Sequence, residues 1–350
     1  MQIGLDIGRQ YVKMVVVEKT RDGLKLLNVD SKLIPEKNKP FDPENIDTPL
    51  IVMAVKELID RMSLKPKHLR NLTTGIGGSN ISIKQITTMD MSTDELKASM
   101  MFEARKHMPM DGTDAVIDYQ VLGPNRFEAD KIDVILVACT NGVRTSHQKL
   151  LKNIGLKADI IDSEPIAIMN AFLQSHQSSE EGAVILLDIG AVSTSLVVWG
   201  EQDMFFTRDI PRGVHDLVKD IATKRSITYS EAQDYLQNEG AAALEVEQPE
   251  DTSLISVAER SSLDIFLEDV RRTLRFYTKN SKQSHFSALY LSGGGGNVKG
   301  LKEYMEENLQ IKSQVMDPFA NLETKEKISI EDPAQYAVAT GLAVRKGFEA

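Results

Sequence analysis

Two aspartates and a lysine are spaced as they would be to handle a phosphate chain and its metal ion. Asp6 lies in Ile3-Gly4-Leu5-Asp6-Ile7-Gly8, and Asp188 in Ile185-Leu186-Leu187-Asp188-Ile189-Gly190. A shift of 182 residues superposes the two phrases, and it also pairs Lys13 with Ser195 and Val16 with Val198. In each, an apolar run ends in Asp-Ile-Gly, a short polar turn follows, and a second β-branched run returns, which is the pattern of a tight hairpin. Without side chains, Gly8 and Gly190 let backbone N–H groups close on an anion. Facing loops of this kind can grip phosphates while Asp6 and Asp188, directly or through water, hold magnesium. A third glycine run, Ser292-Gly293-Gly294-Gly295-Gly296-Asn297, ends another apolar stretch and precedes a helix expected over 301–308, which suits close packing of a flat base and ribose.

These residues need two half-domains to carry them, and the chain supplies both. A length of 350 residues buries a sizeable core and divides into two lobes or more. After the first hairpin, Asp22-Gly23 signals a turn into a strand over 24–30, and apolar spacing gives a helix over 50–62. The stretch 72–79, Leu-Thr-Thr-Gly-Ile-Gly-Gly-Ser, is a strand entering a glycine corner with no helix behind it, so it reads as a turn. From 80 to 159 the order is strand 81–86, helix 93–107, strands 115–122 and 131–138, and helix 142–154, a compact inserted α+β subdomain. Ser92-Thr93-Asp94-Glu95 is a capping box for the first of these helices. Glu164 opens another helix, with Ser163 as its cap and Pro165 in its first turn. Farther on, helices are expected over 214–224, 230–237, 252–279 and 333–346.

Composition excludes several classes. Lys plus Arg is 41 against 51 Asp plus Glu, a net charge of −10 with no long basic run, which argues against a nucleic-acid partner. The lone Cys139 follows Val134-Ile135-Leu136-Val137-Ala138, so an intrachain disulfide is impossible and a buried strand position is expected. None of the six histidines forms a pair at metal-ligand spacing along a helix. No apolar run approaches the length of a membrane span, and no basic-then-apolar leader precedes the first strand, so a soluble cytoplasmic protein without direct membrane insertion is expected.

The three loops, in this order, resemble the actin-like ATPase superfamily, with its first and second phosphate loops and its adenosine loop. Within it the chain is most similar to the PilM family of type IV pilus assembly. That likeness rests on Asp6-Ile7-Gly8 with Val12-Lys13, Glu103 to Pro109, Asp118 to Leu122, Asp162 to Pro165, Asp188-Ile189-Gly190 with Ser193-Thr194-Ser195, and Leu291 to Gly295. The insertion resembles the relocated subdomain that PilM shares with the division protein FtsA. The resemblance implies an α/β actin-like fold, two lobes around a nucleotide cleft. The first lobe would be 1–79 with 160–186 and 333–350, the insertion 80–159, and the second lobe 187–332 with a largely helical part at 214–285.

The same resemblance implies ATP and Mg2+ as cofactors. It assigns Lys13 to the phosphates, Asp6 and Asp188 to magnesium and its waters, and Ser193 and Thr194 to the terminal phosphates. Gly293, Gly294 and Gly295 fall to the adenosine, Gly213 and Asn297 are further nucleotide-binding candidates, and Glu164, with Asp188, falls to catalysis, Glu164 placing the attacking water. Two departures stand out. Arg9 and Gln10 replace the small hydroxyl residues usual after Asp-Ile-Gly, so an arginine either pairs with a phosphate or crowds it. Gln233 and Leu236 stand where relatives offer a glutamate and a lysine to the ribose.

As a partner, the resemblance implies the cytoplasmic N-terminal tail of an inner-membrane pilus assembly protein, PilN-like, which would bring the chain to the cytoplasmic face of that membrane; pilus motor ATPases and the platform protein are further candidates. Between 89 and 110 the chain carries Met89, Met91, Met100, Met101, Met108 and Met110. These are either filling for a small core or an adaptable apolar wall for a peptide. In the second case Met100, Met101 and Met108 would face the tail together with the glycine corner at Gly75 and Gly77. Three functions therefore compete: a nucleotide-dependent scaffold with slow or no hydrolysis, an active ATPase or sugar-kinase-like enzyme, and an FtsA-like filament former.

Overall fold

A computed structural model describes every residue except 22, 35–40, 43–45, 108–113, 178–181, 201–202, 245–259, 282, 284, 325–327 and 346–350. The chain opens as a meander, because its β-branched runs are separated by turns. β1 (Gln2–Ile7), β2 (Tyr11–Lys19) and β3 (Leu24–Leu33) pair antiparallel in sequence order, with Gly23 at φ 139° in the second turn. There follow α1 (Thr48–Arg61), β4 (Leu72–Ile76), β5 (Ile81–Met89), α2 (Thr93–His107), β6 (Ala115–Pro124), β7 (Lys131–Thr140) and α3 (Asn141–Ile154). Next come β8 (Ile160–Ser163), α4 (Glu164–Ser175), β9 (Ala183–Ile189), β10 (Thr194–Trp199), β11 (Phe206–Ile210), α5 (Val214–Arg225), α6 (Tyr229–Glu239) and α7 (Ser262–Asn280). The chain closes with β12 (Phe286–Ser292), α8 (Leu301–Leu309), β13 (Ser313–Val315), β14 (Glu323–Thr324) and α9 (Ala337–Val344).

Two mixed sheets form the lobes. The first runs β14-β3-β2-β1-β4-β8 and the second β11-β10-β9-β12-β13, each built on an antiparallel hairpin extended by parallel strands. Between them lie α4 and α9. Apart from Glu164, α4 carries no charged side chain, and α9 none at all, so both are buried nearly all round, against β9, β10 and β12 in one shared core. Their contact is backbone to backbone: a Cβ on Gly341 would stand 1.7 Å from the carbonyl oxygen of Ala167, and one on Gly4 of β1 2.0 Å from that of Ala339.

The insertion is a three-stranded antiparallel sheet, β5-β7-β6, with α2 on one face. Period-two alternation explains the unbroken apolar run of β7. Val134, Leu136 and Ala138 point into the α2 core with Met100 and Leu96, while Ile135 and Val137 pack with Val197 and Phe205 of the second lobe. The Phe205 N–H donates to Gln85 Oε1 at 2.7 Å, fixing β5 to that lobe. From the other end α3, capped by Thr140 and stopped by Gly155 at φ 92°, sends Leu151 and Ile154 into the first lobe's core beside Val55 and Leu58. The insertion thus touches both lobes.

Several elements differ from expectation. The helix expected over 252–279 is described from Ser262, where Ser261 accepts from the Asp264 N–H at 3.1 Å; residues 252–259 lie outside the described residues. The C-terminal helix begins as a 3-10 turn over Pro333–Tyr336 before α9 proper. Cys139 is half-buried.

Replacing Gly341 with alanine should force α9 off α4. The expected cost is about 1–3 kcal/mol of unfolding free energy, read by denaturant titration; a neutral result would mean that the helices do not meet at this distance.

Candidate functional site

The repeat read in the sequence is a repeat of hydrogen bonds. Asp6 on β1 stands opposite Lys13 on β2, and Asp188 on β9 opposite Ser195 on β10. In the first turn the Gly8 N–H donates to Tyr11 O at 3.1 Å, and in the second the Gly190 N–H donates to Ser193 O at 2.9 Å. Directly opposed residues share a face of a sheet, so each lobe offers a cross-strand row to the cleft. The rows extend one strand further, to Ser31 beside Lys13 and to Asp209 beside Ser195.

Charge is concentrated between these rows. Lys13 Nζ lies 3.1 Å from Asp6 Oδ2, and the Ser292 hydroxyl donates to Asp188 Oδ1 at 2.8 Å. Ser163 caps α4 and so holds Glu164 at its first turn. Gly75 and Gly77 make room for that side chain: a Cβ on Gly77 would stand 1.8 Å from Glu164 Oε2, and one on Gly75 3.0 Å from its Cγ. Burial raises Glu164, and Asp6 and Asp188 push it further, to about 8, against the pull of Lys13. Asp188 is lifted by burial to about 6, opposed by Lys13 and by its bond from Ser292. Burial pulls the Lys13 ammonium down, but Asp6, Asp188 and Glu164 outweigh it and hold its pKa above the ordinary value.

Carboxylates that raise one another's pKa invite a cation. Asp6 and Asp188 could hold a magnesium ion between them, and the buried Asp209 Oδ1, which has no hydrogen-bond partner, adds to the negative charge. Among the described residues no group of three His, Cys, Asp or Glu is already assembled as a metal cage.

The remaining site residues divide. Gly213 caps α5 and packs on the second loop, where the Val214 and His215 N–H groups donate to Gly190 O and Ala191 O at 3.0 and 2.8 Å. Gly293, at φ 76°, and Gly295 pack closely on Ile189, whereas a Cβ on Gly294 would meet nothing within 4 Å, so the backbone there is open to a ligand. Asn297 Nδ2 is buried without a partner beside it. Ser193 is half-buried, but Thr194 is fully buried and donates to Arg212 O at 2.8 Å, so its hydroxyl is committed to the backbone. Arg9 is exposed and Gln10 half-buried at the first turn. Gln233 is exposed, and Leu236 belongs to the second lobe's core. Asp209 and Ser292 were not singled out from sequence as acidic or aspartate-holding members of the site; the register β10–β11 and the pairing of Ser292 with Asp188 across β12–β9 bring them in.

The residues expected to face a partner do not form one surface. Gly75 and Gly77 border Glu164 inside the cleft. Met100 is 1% exposed in the α2 core, while Met101 and Phe102 on the same helix are 43% and 67% exposed. Met108 lies outside the described residues.

The family profile of the type IV pilus assembly protein PilM matches residues 4–347. This chain belongs to the PilM family. A solved PilM-PilN type IV pilus biogenesis complex contains a chain of the same fold as this PilM-family protein, with TM-score 0.78 and 21% identity over 98% of each chain. Cell division protein FtsA of Bacillus subtilis (strain 168) is 21% identical over 98% of this chain and 82% of its own length. MreB 5 of Spiroplasma citri, solved bound to AMPPNP, aligns with TM-score 0.51 and 12% identity over 99% of this chain and 97% of its own. The fold of this PilM-family member is actin-like. No described helix is long and apolar enough to cross a membrane.

Because Glu164 keeps its proton up to about pH 8 in the fold but loses it near its ordinary value of 4.5 when unfolded, the native state holds the extra proton in that window. Stability therefore falls as pH rises through it. Glu164→Gln should change unfolding free energy little near pH 4 and raise it by on the order of 2–4 kcal/mol near pH 9. A gain that does not grow with pH would contradict the buried carboxyl.

Proposed function

We propose that this protein is an ATP- and magnesium-binding scaffold of type IV pilus assembly that captures the short cytoplasmic tail of a PilN-like inner-membrane protein, with slow or no hydrolysis. The observation that carries the reading is the pair of matched rows, Asp6 with Lys13 and Asp188 with Ser195, facing each other across Glu164. Lys13 would meet phosphate oxygens, Asp6 and Asp188 would hold magnesium through its waters, and the open backbone at Gly294 with the Asn297 amide would receive the nucleoside. The bound metal would supply neutralisation of the phosphate charge. A Glu164 that stays protonated near neutral pH is a poor general base, which favours retention of nucleotide over turnover. The AMPPNP-bound neighbour of the same fold and the PilM-PilN complex support the two halves of the reading.

For the tail we place the site at the seam between the first lobe and the insertion. An open cleft of about 600 Å³ lies there between α1 and the end of α3, floored by Ile59, Leu69 and Leu156 and rimmed by Lys56, Arg70 and Lys157. An extended tail needs this combination of apolar floor and polar rim. A chain held at that seam would be brought to the cytoplasmic face of the inner membrane by its partner.

Two experiments test the halves separately. Asp188→Ala should abolish magnesium-dependent ATP binding in calorimetry, and binding equal to the parent's would refute the nucleotide site. Ala158→Trp, which fills the cleft, should lower affinity for a PilN-like tail peptide by about tenfold or more, with Met101→Glu changing it less than about twofold. The opposite pattern would move the tail to the exposed face of α2.

A further inference from the structure

The helix α7 buries one face in the second lobe's core, through Leu263, Phe266, Leu267, Val270, Leu274 and Tyr277. Outside that face Arg272, Arg275, Phe276 and Lys279, at helical spacing, form an exposed stripe. The neighbouring edge strand β11 adds Arg208, whose guanidinium stands 5.9 Å from the centre of the Phe276 ring, and Phe206, whose ring lies 5.9 Å from it. One turn back on α7, Glu268 accepts from Arg275 at 2.5 Å and Asp269 from Arg272 at 2.7 Å. Asp269 also accepts from Arg212 Nε at 2.9 Å, so its charge is met from a second side. An arginine has five N–H donors. The Arg272 and Arg275 side chains, 72% and 66% exposed, therefore keep donors turned to solvent. Four cations thus stand against two carboxylates around a half-exposed phenylalanine, on a chain whose net charge is −10.

Shape and chemistry choose the occupant. An extended acidic peptide is held in a groove between elements, whereas these side chains stand outward from the ridge of one helix. A lipid surface asks for cations at the height of its phosphates with an aromatic ring among them. The stripe presents that combination, with Phe276 50% exposed between Arg272 and Lys279. Guanidiniums also meet phosphate oxygens with paired N–H groups. We propose that the outer face of α7, with Arg208 of β11, docks on anionic phospholipid headgroups, a peripheral contact that inserts no helix. The overall negative charge works against contact through acidic faces, so the stripe would set how the chain sits on the surface. This goes beyond the scaffold reading, because neither the nucleotide cleft nor the tail cleft shares a residue with the stripe. A chain held by a partner's tail would gain from such a second, weak attachment through the high local concentration of headgroups.

The test is flotation of the full chain, without any partner, on vesicles of phosphatidylcholine alone and of phosphatidylcholine with phosphatidylglycerol in equal parts, with thermal unfolding to verify each variant's fold. The parent should bind the mixed vesicles about tenfold better or more at about 50 mM salt and lose most of that binding at about 500 mM. Arg272→Glu with Arg275→Glu should cut binding by about tenfold or more, whereas Arg272→Lys with Arg275→Lys should keep it within about threefold. Phe276→Ser, which leaves the Glu268 and Asp269 pairs intact, should cost about threefold. Lys97→Glu with Lys149→Glu, the same change of charge at exposed cations of the insertion, should stay within about twofold. An equal loss in that control pair would reduce the effect to net charge and overturn the site. A parent that binds both vesicles alike, or neither, would overturn it as well. Binding of polyglutamate in place of the vesicles, with the same dependence on Arg272 and Arg275, would make the stripe a protein-docking face and overturn the lipid assignment.

Discussion

The Lys13 ammonium is the interaction on which the cleft depends. It lies 3.1 Å from Asp6, and its charge also acts on Asp188 and Glu164, from the other lobe and from the first turn of α4. Without it those carboxyls would face one another with no ammonium between them, and the hydroxyl of Ser292 would offset Asp188 alone in part. Even with it, Glu164 and Asp188 stay raised, to about 8 and about 6, so the lysine compensates the negative charge only in part. A site in this condition gains from any cation that enters and is strained by any anion that enters without one. On the proposed nucleotide reading, magnesium and phosphate would arrive as a pair.

The geometry that keeps these groups apart yet facing is set by backbone contact between helices. Gly341 of α9 lies flush on Ala167 of α4, and Gly4 of β1 flush on α9, so the strand that carries Asp6 and the helix that presents Glu164 are fixed to one another through α9. Side chains at either glycine would separate them by ångströms, and a misplacement of that size is large for a charged site. The second lobe reaches the same core through β9, β10 and β12.

The insertion gives the cleft a mechanical neighbour. β5 is fixed to the second lobe by Gln85, and α3 to the first by Leu151 and Ile154, so a rotation of one lobe on the other must be absorbed within or beside the insertion. Gly77, which wraps Glu164, and Gly78, which faces Asp209, lie in the corner that leads into β5. A ligand that binds the closed arrangement better than the open one would thereby shift what the insertion presents, and the converse follows by linkage.

The parts of the fold that local chemistry dictates are legible in the amino-acid sequence. The 182-residue repeat of Asp-Ile-Gly fixed both hairpins, because an apolar run, a glycine turn and a β-branched return allow few other structures. Ser163 and the Ser92 to Glu95 box likewise announced α4 and α2, since a capping side chain acts within three residues of itself. What faces what was decided by tertiary structure. Thr194 stands next to Ser193 in a phosphate-loop phrase, yet strand alternation turns it into the core toward Arg212 O. Met100 and Met101 are adjacent, and the helical period buries one and exposes the other. Gly75 and Gly77, read as a corner open to a peptide, are small because the Glu164 side chain occupies the space beside them. Asp209 had no local signal at all, because its place in the cleft comes from pairing β11 to β10, a register that becomes fixed only when the sheet forms.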